Sequence, residues 1–128
     1  MPHPNEQVMR DLDDAQLRGD VEAFANGFTD DVVVHIPGKS SFAGEYKGKD
    51  RFLEVFQKFG EAVPDYTFEA HSYLADDEHG VSLQRSTYKR GNEMLQANDA
   101  FVAHFRDGKI SEFWLLTDKP HETDAFLG

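Results

Sequence analysis

The C-terminal part of the chain contains the sequence Ile110-Ser111-Glu112-Phe113-Trp114-Leu115-Leu116-Thr117-Asp118, which directly follows Arg106-Asp107-Gly108-Lys109. An Asp-Gly pair between two apolar runs is a strong signal for a β-hairpin turn. The sequence therefore predicts a final strand that ends in a carboxylate, four residues after the only Trp of the protein. A carboxylic acid beside an indole in an apolar pocket can have its pKa moved to a value that suits proton transfer.

A two-residue turn at Asp107-Gly108 predicts how the last two strands pair. Phe101 then lies opposite Trp114 and Ala97 opposite Asp118, because successive residues of a strand point to opposite faces of the sheet. The predicted pocket face carries Asp99, Phe101, Ala103, Phe105, Ile110, Trp114, Leu116 and Asp118. The opposite face is apolar as well, and we predict that it forms a homodimer interface through Val102, Phe113 and Leu115.

Composition narrows the class of protein. With 128 residues, the chain is predicted to form one domain over residues 1–128. The 11 Phe, 4 Tyr and 1 Trp residues predict an aromatic core, a pocket lined with rings, or both. A net charge of −11 without a basic run argues against nucleic acid or an anionic membrane as a partner. Because the sequence shows neither a signal peptide nor a membrane-spanning run, we expect a cytoplasmic protein.

The order of the predicted elements indicates an α+β fold. Asn5 and Asp20 are predicted to cap two helices, and Asp50 a third. A run of β-branched residues predicts a first strand over residues 32–36, followed by a loop over residues 39–48. Patterns of period two predict strands over residues 66–75, 80–90, 94–106 and 109–118, before a helical turn within residues 120–128. We therefore expect helices packed on one face of a curved, mostly antiparallel sheet.

The pattern leaves two side-chain placements open. If the turn after Arg90 has three residues, Arg85 lies opposite Asp99 on the pocket face. Such a pair is either an anchor for an anion or enolate, or a structural ion pair between two strands. On the first strand, the row that faces the helices is either Val32, Val34 and Ile36 or Val33, His35 and Pro37.

Four segments at characteristic spacings carry a family resemblance. They are Arg18-Gly19-Asp20, residues 28–38 (FTDDVVVHIPG), residues 41–50 (SFAGEYKGKD) and residues 107–118 (DGKISEFWLLTD). Together they resemble the SnoaL-like polyketide cyclase branch of the nuclear-transport-factor-2 and ketosteroid-isomerase superfamily, nearly from end to end of the chain. The resemblance implies a cone-shaped α+β fold, whose helices lie on the concave face of the sheet and enclose a deep apolar pocket. It also implies dimerisation through the sheet.

The resemblance implies two different sets of functional residues. Steroid-isomerase members use a Tyr on the first helix, an Asp just before the Pro of the first strand and an acid on the penultimate strand. These positions correspond to Leu12, Ile36 and about Phe101, all apolar here, although Asp99 lies one inward position away and can substitute for the acid. In the cyclases, a Trp followed four residues later by an Asp supplies the acid/base on the last strand, which corresponds to Asp118.

Each candidate residue also has a structural interpretation. Asp118 is either an acid/base or a cap for the turn before Pro120. His35 either contacts a ligand carbonyl or is a structural His. Trp114 either serves as packing or pocket wall or makes a specific ligand contact. The predicted catalytic residues are Asp118, His35 and Asp99, and the predicted ligand-binding residues are Trp114, Phe101, Arg85, Phe28, Ile36, Tyr46 and Leu116. No metal and no other cofactor is predicted, because no His residues have the spacing of a metal-binding motif.

The sequence thus predicts a pocket protein that acts on a small apolar carbonyl compound without a cofactor. The expected chemistry is aldol-type cyclisation, isomerisation or a hydratase-like elimination, each of which depends on proton transfer. The alternative is a non-catalytic module of the same fold that binds a small ligand or serves as an interaction subunit.

Overall fold

The computed structural model describes residues 3–128, and residues 1 and 2 lie outside this range. The elements in chain order are α1 (Pro4–Arg18), α2 (Val21–Ala25), β1 (Phe28–Ile36), β2 (Gly44–Lys47), α3 (Lys49–Ala62), β3 (Thr67–Ala75), β4 (His79–Arg90), β5 (Glu93–Arg106), β6 (Lys109–Thr117) and α4 (Pro120–Leu127). The strands form one curved, unclosed sheet in the order β2-β1-β6-β5-β4-β3. The predicted α+β fold is confirmed.

Of the three predicted helix caps, only the one at Asp20 is confirmed. Asp50 lies in the first turn of α3, whose N-cap is Gly48 and has no side-chain cap hydrogen bond. The Asp20 carboxylate accepts a hydrogen bond from the backbone N–H of Ala23 and caps α2, as predicted. Gly19 ends α1 with a φ of 74°, a left-handed conformation that favours glycine. The cap of α1, however, is His3 rather than Asn5, because the His3 ring accepts from the backbone of Asn5.

The N-terminal half of the sheet contains a strand that the sequence analysis missed. Residues 39–48 were predicted to be a loop, but β2 lies within them and pairs antiparallel with β1, with Val34 beside Tyr46. β1 also begins earlier than predicted, at Phe28, and pairs parallel with β6. The last strand of the chain is therefore a central strand of the sheet.

The hairpin between β5 and β6 has the predicted two-residue turn. Arg106 pairs with Lys109, and both turn residues have positive φ, 53° at Asp107 and 79° at Gly108. Positive φ at both central positions is the type I′ geometry, which matches the twist of a hairpin.

A β-bulge next to this turn reverses the predicted faces of β6. Phe105 pairs with Ile110 but His104 pairs with Glu112, so Ser111 is an extra residue. Beyond the bulge, Phe101 pairs with Leu115 and Asp99 with Thr117. The predicted pairing of Phe101 with Trp114 is wrong, because one extra residue moves every following side chain to the other face.

The face of the sheet that packs against the helices is called the inner face below, and the opposite one the outer face. On β1 the inner row is Phe28, Val32 and Val34, each at most 1% exposed. They pack with the inner residue Phe113 of β6 and with Phe24 and Phe52 from the helices in the main core. Within residues 3–128, no helix is both long and apolar enough to cross a membrane.

Candidate functional site

A cavity of about 180 Å³ lies between the inner face and the helices. Phenylalanine rings form much of its wall, and among them are Phe24, Phe28, Phe52, Phe56, Phe101 and Phe113. The rings of Phe24 and Phe56 stack at 4.6 Å, and those of Phe28 and Phe52 meet edge to face at 5.0 Å. The aromatic residues counted in the sequence therefore form both a core and a pocket wall.

The polar part of this wall comes from β4 and β5. The inner residues Ser82, Gln84 and Ser86 of β4 are buried, and Gln84 pairs with Asp99 on β5. Arg85 pairs with Asn98 on the outer face. The predicted pairing of Arg85 with Asp99 is wrong, because Arg90 pairs directly with Glu93 and the turn has two residues instead of three.

Four side chains of this region form one hydrogen-bonded cluster. The hydroxyl of Ser86 donates to Oδ2 of Asp99 at 2.7 Å. Ser86 Oγ in turn accepts from Nε2 of Gln84 at 3.1 Å and lies 3.1 Å from the hydroxyl of Tyr66. Because a serine hydroxyl has a single hydrogen, and this one is given to Asp99, the Tyr66 hydroxyl is the donor to Ser86. All of these donors thus lead toward one oxygen of Asp99.

The other oxygen of Asp99, Oδ1, has a different environment. Oδ1 is buried and has no hydrogen-bond partner among the described residues, and the same holds for Oγ1 of Thr123. Both residues line the cavity. Burial raises the pKa of Asp99, while the hydrogen bond from Ser86 acts against this rise. The cavity wall therefore offers an unpaired carboxyl oxygen whose proton affinity is increased.

A second carboxyl group lines the same cavity from α1. Asp13 accepts a hydrogen bond from the Tyr73 hydroxyl to Oδ2 at 2.6 Å. Burial raises the pKa of Asp13 to about 6, and the neighbouring Asp14 adds to the rise. The sequence analysis did not single out Asp13. The sequence feature that could have indicated Asp13 is its position in the apolar stripe of α1, four positions after Met9 and next to Leu12.

The cavity carries no positive side chain in its wall. No Lys, Arg or His of the described residues lines it. A buried carboxylate without a positive partner is costly, and it shifts its pKa upward as a result. Asp13 and Asp99 are therefore not members of structural ion pairs, which was the structural interpretation considered for Asp99.

The predicted site residues divide into two groups. Asp99, Phe28, Ile36 and Phe101 line the cavity. Leu116 borders it as well, but its pairing with Ala100 places it in the outer row of β6 and it is 51% exposed, so its predicted place on the pocket face is wrong. Asp118, His35, Trp114, Arg85 and Tyr46 do not line the cavity. The Tyr46 hydroxyl donates instead to the backbone oxygen of Phe42 at 2.8 Å.

The carboxylate of Asp118 accepts hydrogen bonds from the neighbouring strand of the sheet. Its Oδ1 accepts from the backbone N–H of Asn98 at 2.9 Å, and its Oδ2 accepts from the Asn98 side chain at 3.0 Å. These bonds hold the pKa of this exposed carboxyl below its usual value. The predicted place of Asp118 on the pocket face is wrong. Its hydrogen bonds run across the sheet to Asn98 on β5, and none of them caps the turn before Pro120.

His35 and Trp114 meet on the outer face. Their rings are stacked, with centroids 4.9 Å apart and an interplanar angle of 4°. His35 Nε2 lies 2.7 Å from a Glu112 oxygen, and His104 contacts both Glu112 and the Trp114 ring. The predicted place of Trp114 in the pocket is wrong because of the bulge at Ser111. We call these four residues the outer cluster.

The family model described as the SnoaL-like domain matches residues 9–113. The chain belongs to this family, whose SnoaL-like and nuclear-transport-factor-2-like fold includes polyketide cyclases. No curated protein matches the chain by sequence.

Several solved structures share the fold. Bal32a, from a soil-derived mobile gene cassette, is 23% identical with a TM-score of 0.92, covering 98% of this chain and 97% of that one. TerC, crystallised with polyporic acid, is 14% identical with a TM-score of 0.86, covering 98% and 100%. A protein of Jannaschia sp. CCS1, proposed to be a SnoaL-like polyketide cyclase, is 14% identical with a TM-score of 0.80, covering 98% and 92%. At these identities the likeness shows the fold alone.

Proposed function

We propose that the protein is an acid/base enzyme that needs no cofactor and acts on a small apolar carbonyl compound. The observation that carries this proposal is the pair of buried, unpartnered polar atoms, Asp99 Oδ1 and Thr123 Oγ1, on residues that line one cavity. A buried polar atom without a partner costs about 1–3 kcal/mol. Such a cost is expected at a functional site, where a ligand supplies the missing partner.

The reaction step follows from the position of Asp99. Its ionised carboxyl takes a proton from the carbon next to the ligand carbonyl through Oδ1. The electron pair of the broken C–H bond forms a C=C bond, and the negative charge moves to the carbonyl oxygen. The resulting enolate is the common intermediate of isomerisation and of aldol-type cyclisation. A raised pKa makes Asp99 a stronger base than an exposed carboxylate.

The size and charge of the cavity support a neutral ligand with one or two rings. An apolar cavity of about 150 Å³ holds benzene, and this one has about 180 Å³. Its wall has two carboxyl groups and, in the described part of the chain, no positive side chain, so an anionic ligand would be repelled.

A non-catalytic binding module is the second candidate. The observation that favours it is that the predicted catalytic residues Asp118 and His35 do not meet at the cavity. The two candidates differ in whether Asp99 moves a proton. Binding alone needs only the hydrogen bond that Oδ1 accepts.

Proton exchange at carbon separates the two candidates. With the two-ring ketone 2-tetralone in D₂O, we expect the protein to accelerate exchange of the protons next to the carbonyl, measured by proton NMR. Asp99→Asn is expected to lower this rate about 100-fold or more, the usual size of an acid/base contribution. Asp118→Asn is the competing variant, and a comparable loss there with none in Asp99→Asn would return the role to Asp118. Binding of 2-tetralone without exchange would favour the binding module.

We also propose a homodimer through the outer face, with an interface that differs from the predicted one. Phe113 is 3% exposed and lines the cavity together with Leu115, so their predicted place in the interface is wrong. Val102 does lie on the outer face, beside Trp114. Leu83 and Leu116 are exposed apolar residues of the same face, and a second copy of the chain would cover them. A monomeric mass by light scattering at micromolar concentration would contradict this.

A further inference from the structure

We propose that Asp13 is a second proton-transfer residue of the cavity, which gives a proton to the ligand carbonyl oxygen while Asp99 removes one from the neighbouring carbon. This inference rests on the proposed function, because it adds a partner to the step assigned to Asp99.

The position of Asp13 is set by α1. Met9, Leu12, Asp13 and Gln16 line the cavity, as expected for residues three and four apart on one helix face. Asp14, the next residue, is exposed and lies outside the cavity wall. The helix therefore directs one carboxyl of the Asp13-Asp14 pair to the ligand space and the other to solvent.

The groups around Asp13 act on its protonation but do not neutralise it. Tyr73 from β3 donates to Asp13, and the Arg10 guanidinium lies 4.3 Å from the centre of the Tyr73 ring. No Arg or Lys among the described residues forms a salt bridge with Asp13. A structural role alone does not explain a half-buried carboxyl that has one hydrogen bond and, among the described residues, no salt bridge, since a neutral residue would be less costly there.

Asp13 and Asp99 act on the same region of the cavity. The pKa of Tyr66 is raised mainly by burial, and the charges of both Asp99 and Asp13 add to the rise. The Tyr66 hydroxyl thus lies within electrostatic range of both carboxyl groups, on the cavity wall. Because both carboxyl groups line the same cavity, from α1 and β5, the proposal has a small ring compound contact both of them.

Their surroundings assign different roles to the two acids. Asp99 accepts from the end of a chain of donors, in which Gln84 and Tyr66 donate to Ser86 and Ser86 donates to Oδ2, and this chain favours the ionised form of Asp99. Asp13 accepts a single hydrogen bond, from Tyr73, whose donor does not belong to such a chain. A nearby negative charge opposes ionisation at both sites, that of Asp14 at Asp13 and that of Asp118 at Asp99. We therefore assign the role of base to Asp99 and the role of acid to Asp13, whose pKa is raised to about 6.

The proposed step is balanced. Asp99 Oδ1 binds the proton from the carbon, and the C–H electron pair becomes the C=C bond. The C=O π electrons move to oxygen, which takes the proton from the Asp13 carboxyl. The products are a neutral enol, a protonated Asp99 and an ionised Asp13, so the total charge is unchanged.

The test is the pH dependence of 2-tetralone exchange between about pH 4 and about pH 8. In the wild-type protein we expect the rate to fall as the pH rises through about 6, where Asp13 loses its proton. Asp13→Asn is expected to lower the rate about 100-fold near pH 5 and to remove this fall. Tyr73→Phe removes a hydrogen bond to the carboxylate form, so the fall is expected at higher pH. Asp14→Asn is the matched control on the same helix and should retain the fall, displaced to lower pH because the Asp14 charge contributes to the raised pKa of Asp13.

The outcomes separate this inference from the proposed function. If Asp99→Asn abolishes exchange while Asp13→Asn keeps both the rate and its pH dependence, the role of Asp13 is overturned and the proposed function stands. If the wild-type protein does not accelerate exchange at all, both are overturned. Because Tyr73→Phe retains the Asp13 carboxyl, an unchanged pH profile in that variant also counts against Asp13 as the acid.

Discussion

The two faces of the β5-β6 hairpin carry two different polar clusters. On the inner face, Asp99 shares hydrogen bonds with Ser86, and through it with Tyr66 and Gln84, at the wall of a cavity without positive side chains among the described residues. On the outer face, the carboxylate of Glu112 lies between His35 and His104. The inner carboxyl has one unpaired oxygen, whereas both oxygens of Glu112 have a contact.

On the inner face, this pair of strands carries a carboxyl group that can still bind a ligand. On the outer face, it carries one whose oxygens are already in contact with other side chains. A carboxylate with partners on both oxygens is satisfied by the protein itself and has little capacity left for a ligand. A carboxyl with one free oxygen in an apolar cavity has an increased affinity for a proton. Trp114 and Asp118 have the most conspicuous sequence pattern, but neither lines the cavity, and both oxygens of Asp118 already accept hydrogen bonds from Asn98.

The assignment of the two faces makes a strong prediction for neighbouring residues. Phe113→Ala is expected to lower the free energy of unfolding by about 3–5 kcal/mol, because it removes a buried ring that contacts Phe28, Phe52 and Phe101. Trp114→Ala removes a larger ring but from a half-buried outer position, so we expect a loss of about 1 kcal/mol. Urea unfolding of both variants measures the difference.

Protein concentration serves as the control for this comparison. If the outer face is a dimer interface, part of the loss in Trp114→Ala depends on concentration, whereas the loss in Phe113→Ala comes from the core and does not. A larger loss in Trp114→Ala than in Phe113→Ala at all concentrations would contradict the face assignment.

The faces of β6 could not be obtained from alternation alone. The turn at Asp107-Gly108, the strand and its pairing with β5 were all predictable, because Asp-Gly and period-two patterns are local signals. The bulge at Ser111 is set by how β6 fits between β5 and β1, a tertiary constraint. The bulge shows in the positions of Ile110 and Phe113, which are both buried although they lie three positions apart. In a regular strand, two residues on the same face are separated by an even number of positions.

The candidate site was predictable to a similar extent. Asp99 and Phe101 were correctly placed on the inner face, because β5 continues in regular alternation from the turn. Arg85 was misplaced, because the length of the turn at Gly91 decides the register of β4 and the sequence allows two lengths. Asp13 was not predicted as a site residue, because the sequence does not show which face of α1 lines the cavity.

Stability against pH gives a smaller but sharper contrast between an inner and an outer carboxyl. The folded pKa of Asp13, about 6, lies above its usual value of 3.8, so folding favours the protonated form. Its contribution to stability is therefore present below about pH 4 and is lost as the pH rises through about 6. Relative to the wild-type protein, Asp13→Asn should gain on the order of 2 kcal/mol of unfolding free energy between these pH values.

Asp118 supplies the opposite case. Hydrogen bonds from Asn98 hold its pKa below 3.8, so its contribution is present above the usual pKa and is lost as the pH falls through the lower folded value. Asp118→Asn should therefore be less stable than the wild-type protein at neutral pH and approach it in acid, while Asp13→Asn is more stable at neutral pH and also approaches it in acid. Urea unfolding of the three proteins across this range tests both signs. Equal signs for the two variants would mean that Asp13 is stabilised as a carboxylate, which would remove the basis for its role as an acid.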